Sequence, residues 1–266
     1  MRLISVKTRL VKDGDNLVEL VLESLKAQGL RLEDNDVLAL TSKIVSISEG
    51  HMVKLSEVKP SEKAKRLAKE YSLKPEFAEL ILREADRICG GVEKAVLTLR
   101  NGVMAPNAGI DNKNAPSDYA VLWPKDPEAS ATKVRDMIKR RTGKNVAVMI
   151  VDSGLVPLRI GTTGLALAVA GFKPIRDNIG CEDLFGKPIL ITRQAVADDL
   201  ASAAHLLMGE ATQKTPAVLI KDAPVEFDDG TYGSASMMMP FKECIFMNTL
   251  EKQEGVKRKA KRKARA

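Results

Sequence analysis

The sequence predicts a globular protein of mixed helices and strands. Several segments repeat apolar residues at helical spacing, the first of them over 16–28. Others are short continuous apolar runs, clearest over 146–151, which suit strands buried on both faces of a covered sheet. The 266 residues, 44% hydrophobic and 29% charged, can bury a substantial core in one large domain or two smaller ones.

The first half of the chain alternates between the two kinds of element. Leucine and valine side chains of 16–28 share one helix face, and Gly29 ends that helix. Asn101 and Gly102 form a strong hairpin signal between two short strands. The predicted elements are helices over 16–28, 61–71 and 75–88, a helix-compatible stretch over 43–50, and strands over 37–41, 95–99 and 103–105.

The second half contains the longest apolar runs. A helix over 127–141 ends in three cations, which suit the negative end of its dipole, and Gly209 ends a helix over 194–208. Strands are predicted over 146–151, 162–170, 188–192 and 215–221. The stretch 224–239 is expected to be irregular, with the methionines at 237–239 in packing or in an oligomer contact.

Composition excludes several classes of function. The three cysteines are widely spaced and lack a CxxC motif, which argues against a disulfide framework and against a zinc site. With only His51 and His205, a histidine-rich metal site is excluded and a Ser/His/Asp triad is disfavoured.

No stretch approaches the roughly 20 apolar residues of a membrane span, and the N-terminus lacks a signal-peptide core. A cytoplasmic location is therefore expected.

The formal net charge of +7 is concentrated at the C-terminus. Residues 256–266 contain seven Lys and Arg and no acid, so the charges of 1–255 nearly balance. A run of like charges spaced only by alanine repels itself, which predicts a disordered basic tail over 256–266 and one folded domain over 1–255. The tail either keeps the protein soluble or makes weak, nonspecific, salt-sensitive contacts to nucleic acid.

Three short segments each place one carboxylate where predicted ordered structure gives way to a loop. The segments NAGIDNKN, VMIVDSG and LLMGEAT carry Asp111, Asp152 and Glu210. Mg²⁺ and Mn²⁺ prefer oxygen ligands from converging elements, and phosphates accompany them. If the segments converge, they form a metal and nucleotide site. For Asp111 an ordinary Asn/Gly/Asp turn fits equally well, and Lys43 could meet a phosphate or lie on the surface.

In order and spacing, the segments resemble one family, the coenzyme F420-0:L-glutamate ligases. The resemblance runs from the first strand to about Lys221. Walker A, GxGxxG and kinase motifs are absent from the sequence, so a nucleotide would bind in an unusual fold. The stretches that carry the resemblance are SKIVS with SEG, NAGIDNKN, DPEASATKVR, RTGKNVAVMIVDS, GTTGLALAVAGFKPIRD, LFGKPILIT and QAVADDLASAAHLLMGE.

The resemblance implies an α+β fold peculiar to the family, with two α/β lobes, mixed sheets and an intertwined homodimer. It implies GTP-dependent addition of L-glutamate to the lactyl carboxylate of F420-0 through an acyl phosphate, with Mg²⁺ or Mn²⁺ at two sites and K⁺ as a helper. Asp111 and Asp152 would hold one ion, and Ser153 and Glu210 the other. The implied nucleotide-contacting positions are Thr8, Arg9, Leu10, Val11, Ser42, Lys43, Asn114, Met208, Gly209, Glu210, Ala211, Thr212, Gln213, Lys214 and Thr215.

Two positions depart from the family pattern. Ile47 stands where the family usually has Lys, and an apolar stretch around Val156 replaces one Arg, whereas Arg159 keeps the next. A lost charged hydrogen bond to phosphate is worth about 1–3 kcal/mol. Two alternatives to the family reaction follow. One is an amide ligase for a carboxylate other than F420-0, and the other is a nucleotide- or ligand-binding protein on the same scaffold with a polyanion-binding tail.

Overall fold

A computed structural model describes residues 1–249 and confirms the mixed α+β class. Its helices are α1 (Leu17–Ala27), α2 (Ser42–Ser48), α3 (Glu62–Tyr71), α4 (Pro75–Glu84), α5 (Pro127–Thr142), α6 (Val196–Met208) and α7 (Ser234–Met237). Its strands are β1 (Arg2–Val6), β2 (Val37–Thr41), β3 (Met52–Lys54), β4 (Arg87–Val92), β5 (Ala95–Arg100), β6 (Val103–Pro106), β7 (Tyr119–Val121), β8 (Ala147–Leu155), β9 (Thr162–Phe172), β10 (Arg176–Asp177), β11 (Arg193–Gln194), β12 (Ala217–Lys221) and β13 (Phe227–Gly233).

A six-stranded mixed sheet, in the order β1-β12-β2-β8-β9-β13, forms the centre of the molecule. β2 and β8 run parallel, and the other neighbours run antiparallel. Successive side chains of a strand point to opposite faces. Leu38 and Leu40 therefore pack with α1 and α5, while Val37 and Ala39 pack with α6. Both faces are covered, as the continuous apolar runs predict.

A smaller unit stands beside this sheet. The antiparallel sheet β4-β5-β6 and the pair β3-β7 pack with α4 around a separate apolar cluster that includes Phe77, Leu80 and Ile81. The Asn101-Gly102 hairpin is confirmed between β5 and β6. The chain leaves β6 through a 3-10 turn, Asn107–Gly109, which leads directly to Asp111. The smaller unit therefore delivers this carboxylate towards the central sheet.

Several predicted boundaries are wrong. The helix predicted over 75–88 ends at Glu84, because residues from Arg87 onward pair with β5 as a strand that the sequence did not reveal. β8 continues to Leu155 because its far half pairs with β9 across a bulge after Ile150. Asp152 and Ser153 therefore lie within a strand and not in the loop that was predicted.

Two predictions in the C-terminal half also fail. The stretch 188–192 forms no strand; apart from the isolated bridge of Pro188 to Glu182 it makes no sheet pairing, and Leu190 and Ile191 are exposed. The stretch 224–239 contains β13 and α7. β13 forms because it pairs with β9 as the edge strand of the central sheet.

The predicted basic tail, 256–266, lies outside the described residues, so its disorder stays a prediction. Within 1–249, no helix is long and apolar enough to cross a membrane. The two-lobed arrangement and the dimer likewise stay predictions of the family resemblance.

Gly164 fixes how closely α6 lies on β9. A Cβ atom at this position would lie 2.1 Å from the backbone oxygen of Ala201 in α6, so the backbone and not a flexible side-chain end would have to shift. We expect Gly164→Ala to lower the free energy of unfolding by about 1–3 kcal/mol through overpacking, roughly 2–4 °C in Tm per kcal/mol. Urea unfolding measures the change.

The matched control is Gly154→Ala on β8. Its added carbon would lie 3.2 Å from the Cβ of Leu165, and the backbone oxygen of Thr163 would be 3.7 Å away, in ordinary van der Waals contact. We expect a smaller loss of stability than at Gly164. Equal losses in the two variants would contradict the close approach of α6 as the cause.

Candidate nucleotide and metal site

A cavity of about 310 Å³ opens at one edge of the central sheet, where β2 ends beside Val151 and β8 continues to Leu155. The antiparallel strands β1 and β12 also meet there, with the end of β1 beside the start of β12. Just past them, the backbone nitrogen of Thr8 donates a hydrogen bond to the carbonyl of Lys214. Carboxyl ends of adjacent strands are common places for ligands. Of the predicted site residues, those that line the cavity are Thr8, Arg9, Leu10, Val11, Ser42, Lys43, Asp111, Asn114, Asp152, Ser153, Met208, Gly209, Glu210, Ala211, Thr212, Lys214 and Thr215.

Gln213 is the predicted site residue that does not line the cavity. Its side-chain oxygen accepts a hydrogen bond of 2.9 Å from the backbone nitrogen of Ala211. Its amide also lies where a Cβ on Gly209 would stand, 2.4 Å away, so Gly209 leaves room for it. Gln213 thus shapes the loop after α6.

Asp111 and Lys43 form the first polar group of the cavity. The Lys43 ammonium donates to the Asp111 carboxylate at 2.6 Å and to the carbonyl of Lys113 at 2.8 Å. The backbone nitrogen of Lys113 donates to the other carboxylate oxygen at 2.7 Å. Lys43, on α2 directly after β2, therefore lines the cavity and links α2 to the smaller unit.

Asp152, on β8 next to β2, forms the second polar group of the cavity. It accepts a hydrogen bond from the indole nitrogen of Trp123. Burial raises the pKa of Asp152, and hydrogen bonds from Trp123, the Ser153 backbone and Ser42 oppose that rise. A carboxylate in such surroundings is poorly hydrated and gains from a nearby cation.

Trp123, which packs against Gly109, was missed by the sequence analysis. The ring of Trp123 fills the space beside Gly109, where a Cβ would lie 2.0 Å from it, and the φ of Gly109 is +71°. The guanidinium of buried Arg100 lies 5.1 Å from the ring centroid and 2.5 Å from Glu84. These contacts hold the indole that donates to Asp152.

Glu210, Ser153 and His205 form the third group. One Glu210 oxygen accepts from the hydroxyls of Ser153 and Thr162, each at 2.7 Å, and lies 2.8 Å from His205 Nε2. Partial burial opposes ionisation, yet the hydrogen bonds from Thr162, Ser153 and His205 lower the pKa of Glu210 to about 2. His205 was missed because two scattered histidines gave no motif. Its position in the last turn of α6, five residues before Glu210, is the only local signal.

The donor chemistry of the cavity fits a hard cation. Among residues 1–249, no three His, Cys, Asp or Glu side chains lie together as a metal cluster. Mg²⁺, however, is usually bound by only one or two carboxylates together with waters and substrate phosphates. The oxygen pairs that could serve are Asp111 with Asp152 and Ser153 with Glu210. In this arrangement the first pair is bridged electrostatically by Lys43.

The two departures from the family pattern lie in different places. Ile47 is 8% exposed and lines the cavity beside Ile44, so that wall is apolar. Val156 and Arg159 do not line the cavity of this single chain. Leu158 and Ile160 in the same loop are fully exposed.

The sequence matches the family model for F420-0:Gamma-glutamyl ligase over residues 5–222. The curated Coenzyme F420:L-glutamate ligase of Methanopyrus kandleri is 39% identical over 221 residues, which cover 83% of this chain and 86% of the relative. The protein of that name from Methanothermobacter thermautotrophicus is 39% identical over 216 residues, 81% and 86% of the two chains. That of Methanocaldococcus jannaschii is 34% identical over 251 residues, 93% and 97%. Each match spans most of both proteins.

Proposed function

The chain belongs to the F420-0:gamma-glutamyl ligase family and is a ligase, and from this premise we propose that it joins L-glutamate to the lactyl carboxylate of F420-0, consuming GTP. The observation that carries the proposal is the cavity at the end of β2, which Asp111, Asp152, Glu210 and Lys43 line together. Its oxygen donors and its cation suit a metal-bound triphosphate.

The reaction needs an activated carboxylate, because a free carboxylate does not react with an amine at useful rates. An oxygen of the F420-0 carboxylate would bond the γ-phosphorus while the bond to the GDP oxygen breaks. The glutamate amine would then attack the carbonyl carbon, lose a proton and expel phosphate, leaving an amide. Phosphoryl transfer of this kind asks the protein mainly for positioning and charge neutralisation.

The side chains of the cavity would supply that positioning. Asp111 with Asp152, and Ser153 with Glu210, would hold two divalent ions, Mg²⁺ or Mn²⁺, with K⁺ as a helper. When bound, such ions neutralise charge on the transferring phosphate. Lys43 would exchange its contact with Asp111 for one with phosphate. Asn114, Thr8–Val11 and the 208–215 loop would contact the nucleotide, and the Ile44 and Ile47 wall would exclude water.

The direct test is the mass of the product. Purified chain incubated with F420-0, L-glutamate, GTP and Mn²⁺ should yield F420-0 heavier by one glutamyl residue for each GTP consumed. ATP in place of GTP tests the nucleotide preference. Phosphate release without an adduct would reject the reaction and favour a different acceptor, consistent with Ile47 at the cavity wall.

We also propose a homodimer, as the family resemblance implies. Two loops of the chain carry apolar side chains that are largely exposed to solvent, an arrangement typical of surfaces that a partner covers. These side chains are Leu158, Ile160, Leu184, Phe185, Leu190 and Ile191. A strand predicted over 188–192 that stays unpaired in the single chain fits the same proposal.

Charges placed on this apolar surface should prevent dimerisation. We expect the variant Phe185→Asp/Ile191→Asp to be monomeric by light scattering at concentrations where the unmodified chain is dimeric. Val92→Asp, on exposed β4 in the smaller unit, is the control and should leave the dimer intact. A monomeric unmodified chain, or a dimer unaffected by the double substitution, would reject this interface.

A further inference from the structure

A second cavity, of about 410 Å³, lies on the far side of Trp123 from the nucleotide cavity. Its walls come from the β5–β6 hairpin tip, the start of α5, and the junction of β13 with α7. The Ser234 hydroxyl donates to the carbonyl of Asn101 at 2.8 Å and closes one side. The two cavities share no lining residue. A molecule in this cavity would therefore leave the nucleotide cavity open.

Opposite charges face this cavity without pairing. Within residues 1–249, neither the Lys125 ammonium nor the Glu128 carboxylate has an ion-pair or hydrogen-bond partner among the contacts of the structure, and the two lie more than 4.0 Å apart. The third charged residue there, Asp126, is already used, because its carboxylate caps α5 at the nitrogen of Ala129. One cation and one anion thus remain available to a ligand.

Gly233 leaves space for the Glu128 carboxylate in this position. The φ of Gly233 is −102°, a value open to any residue, so its backbone does not require glycine. A Cβ at this position, however, would lie 2.1 Å from Glu128 Oε1 and 2.4 Å from its Cδ. The absence of a side chain at Gly233 therefore makes room for the carboxylate beside the cavity.

The rest of the lining is mainly apolar, with the Trp123 ring, Val103 and Leu167 on its walls. A matching ligand carries an ammonium for Glu128, a carboxylate for Lys125 and a hydrocarbon group between the walls. We propose that this cavity binds a free α-amino acid with an aliphatic side chain. Ligand sites of this kind are concave and apolar with a few placed polar groups.

The single tryptophan of the chain makes the proposal directly measurable. Trp123 is the only Trp among the 266 residues, and it lines this cavity. Titrating the full chain with L-leucine should give a saturable change in Trp fluorescence. L-leucinamide, which lacks the carboxylate, and 4-methylpentanoate, which lacks the amine, should each bind at least tenfold more weakly. This titration contains no nucleotide and no metal, so its result does not depend on the proposed ligation.

Substitutions distinguish this cavity from any other. Lys125→Met and Glu128→Gln should each weaken L-leucine binding at least tenfold, and Gly233→Ala should weaken it by displacing the carboxylate while keeping both charges. Lys133→Met and Asp136→Asn, on α5 outside the cavity, should bind within twofold of the unmodified chain. No saturable response to L-leucine, equal binding by the three cavity variants, or tighter binding of L-glutamate than of L-leucine would overturn the proposal.

Discussion

Replacing Asp152 with asparagine is expected to abolish ligation while leaving the fold intact. An amide is a much poorer ligand for a hard cation than a carboxylate. The several kcal/mol that a metal ion supplies to phosphoryl transfer correspond to about a thousandfold in rate, at about 1.4 kcal/mol per factor of ten. The asparagine oxygen can still accept from Trp123, so the local hydrogen bond survives. Product formation over a range of Mn²⁺ concentrations is the measurement.

The Asp152→Asn experiment has two controls. Asp136→Asn, on α5 and outside the cavity, removes one acid of the same type and should keep its turnover. An unchanged urea midpoint in Asp152→Asn would show that folding is preserved. Turnover of Asp152→Asn within a few fold of the unmodified chain would remove Asp152 from the proposed metal site.

Replacing Lys221 with methionine is expected to give the largest loss of stability. The Lys221 ammonium lies 3.0 Å from the carboxylate of Asp36, which is 3% exposed, and 2.6 Å from that of Glu33. Removing the cation leaves a buried carboxylate without its partner, which costs about 3–5 kcal/mol. Urea unfolding measures the loss, and an unchanged slope would show that only stability changed.

Two further variants test whether the loss of stability comes from the buried carboxylate left without a cation and not from the loss of any lysine charge. Lys144→Met breaks an exposed pair with Asp34 and should cost about 0–1 kcal/mol. The double variant Asp36→Asn/Lys221→Met removes the unpaired charge and should recover part of the stability. A loss below about 1 kcal/mol in Lys221→Met alone would contradict the assigned role.

The same ion pair predicts a dependence of stability on alkaline pH. Burial of Lys221 acts to lower its pKa, but hydrogen bonds to Glu33 and Asp36 outweigh it and raise the pKa above its ordinary value of 10.5. A raised folded-state pKa gives stability that is complete below the unfolded value and is lost as pH rises through the folded one. The unmodified chain should therefore lose this contribution above about pH 10.5, and Lys221→Met should not.

Elements with local signals were predicted well from the sequence. α1 begins after its N-cap Asn16 and ends just before Gly29, and both residues can be recognised as helix boundaries from the sequence alone. β2 coincides with the apolar run predicted for it. The far half of β8 was missed because Ser153 and Gly154 resemble a turn, and only pairing with β9 makes them a strand. Such pairing depends on residues distant in sequence.

The same distinction applies to the candidate site. Each acidic segment was visible by itself, but their common cavity arises from sheet order and from the smaller unit that carries Asp111. Trp123 reaches Asp152 across 29 positions, and no spacing rule links the two. His205 reaches Glu210 only because α6 ends between them at Gly209. Partners of a site residue are therefore harder to predict than the residue itself.

We propose that the cavity of Asp111, Asp152 and Glu210 activates a carboxylate by phosphorylation before amide formation. The most direct measurement uses F420-0 labelled with ¹⁸O in its lactyl carboxylate, together with GTP, Mn²⁺ and L-glutamate. Because the carboxylate oxygen leaves with the phosphate, we predict one ¹⁸O in the phosphate released for each glutamyl product. Glutamyl product formed with unlabelled phosphate would contradict the account.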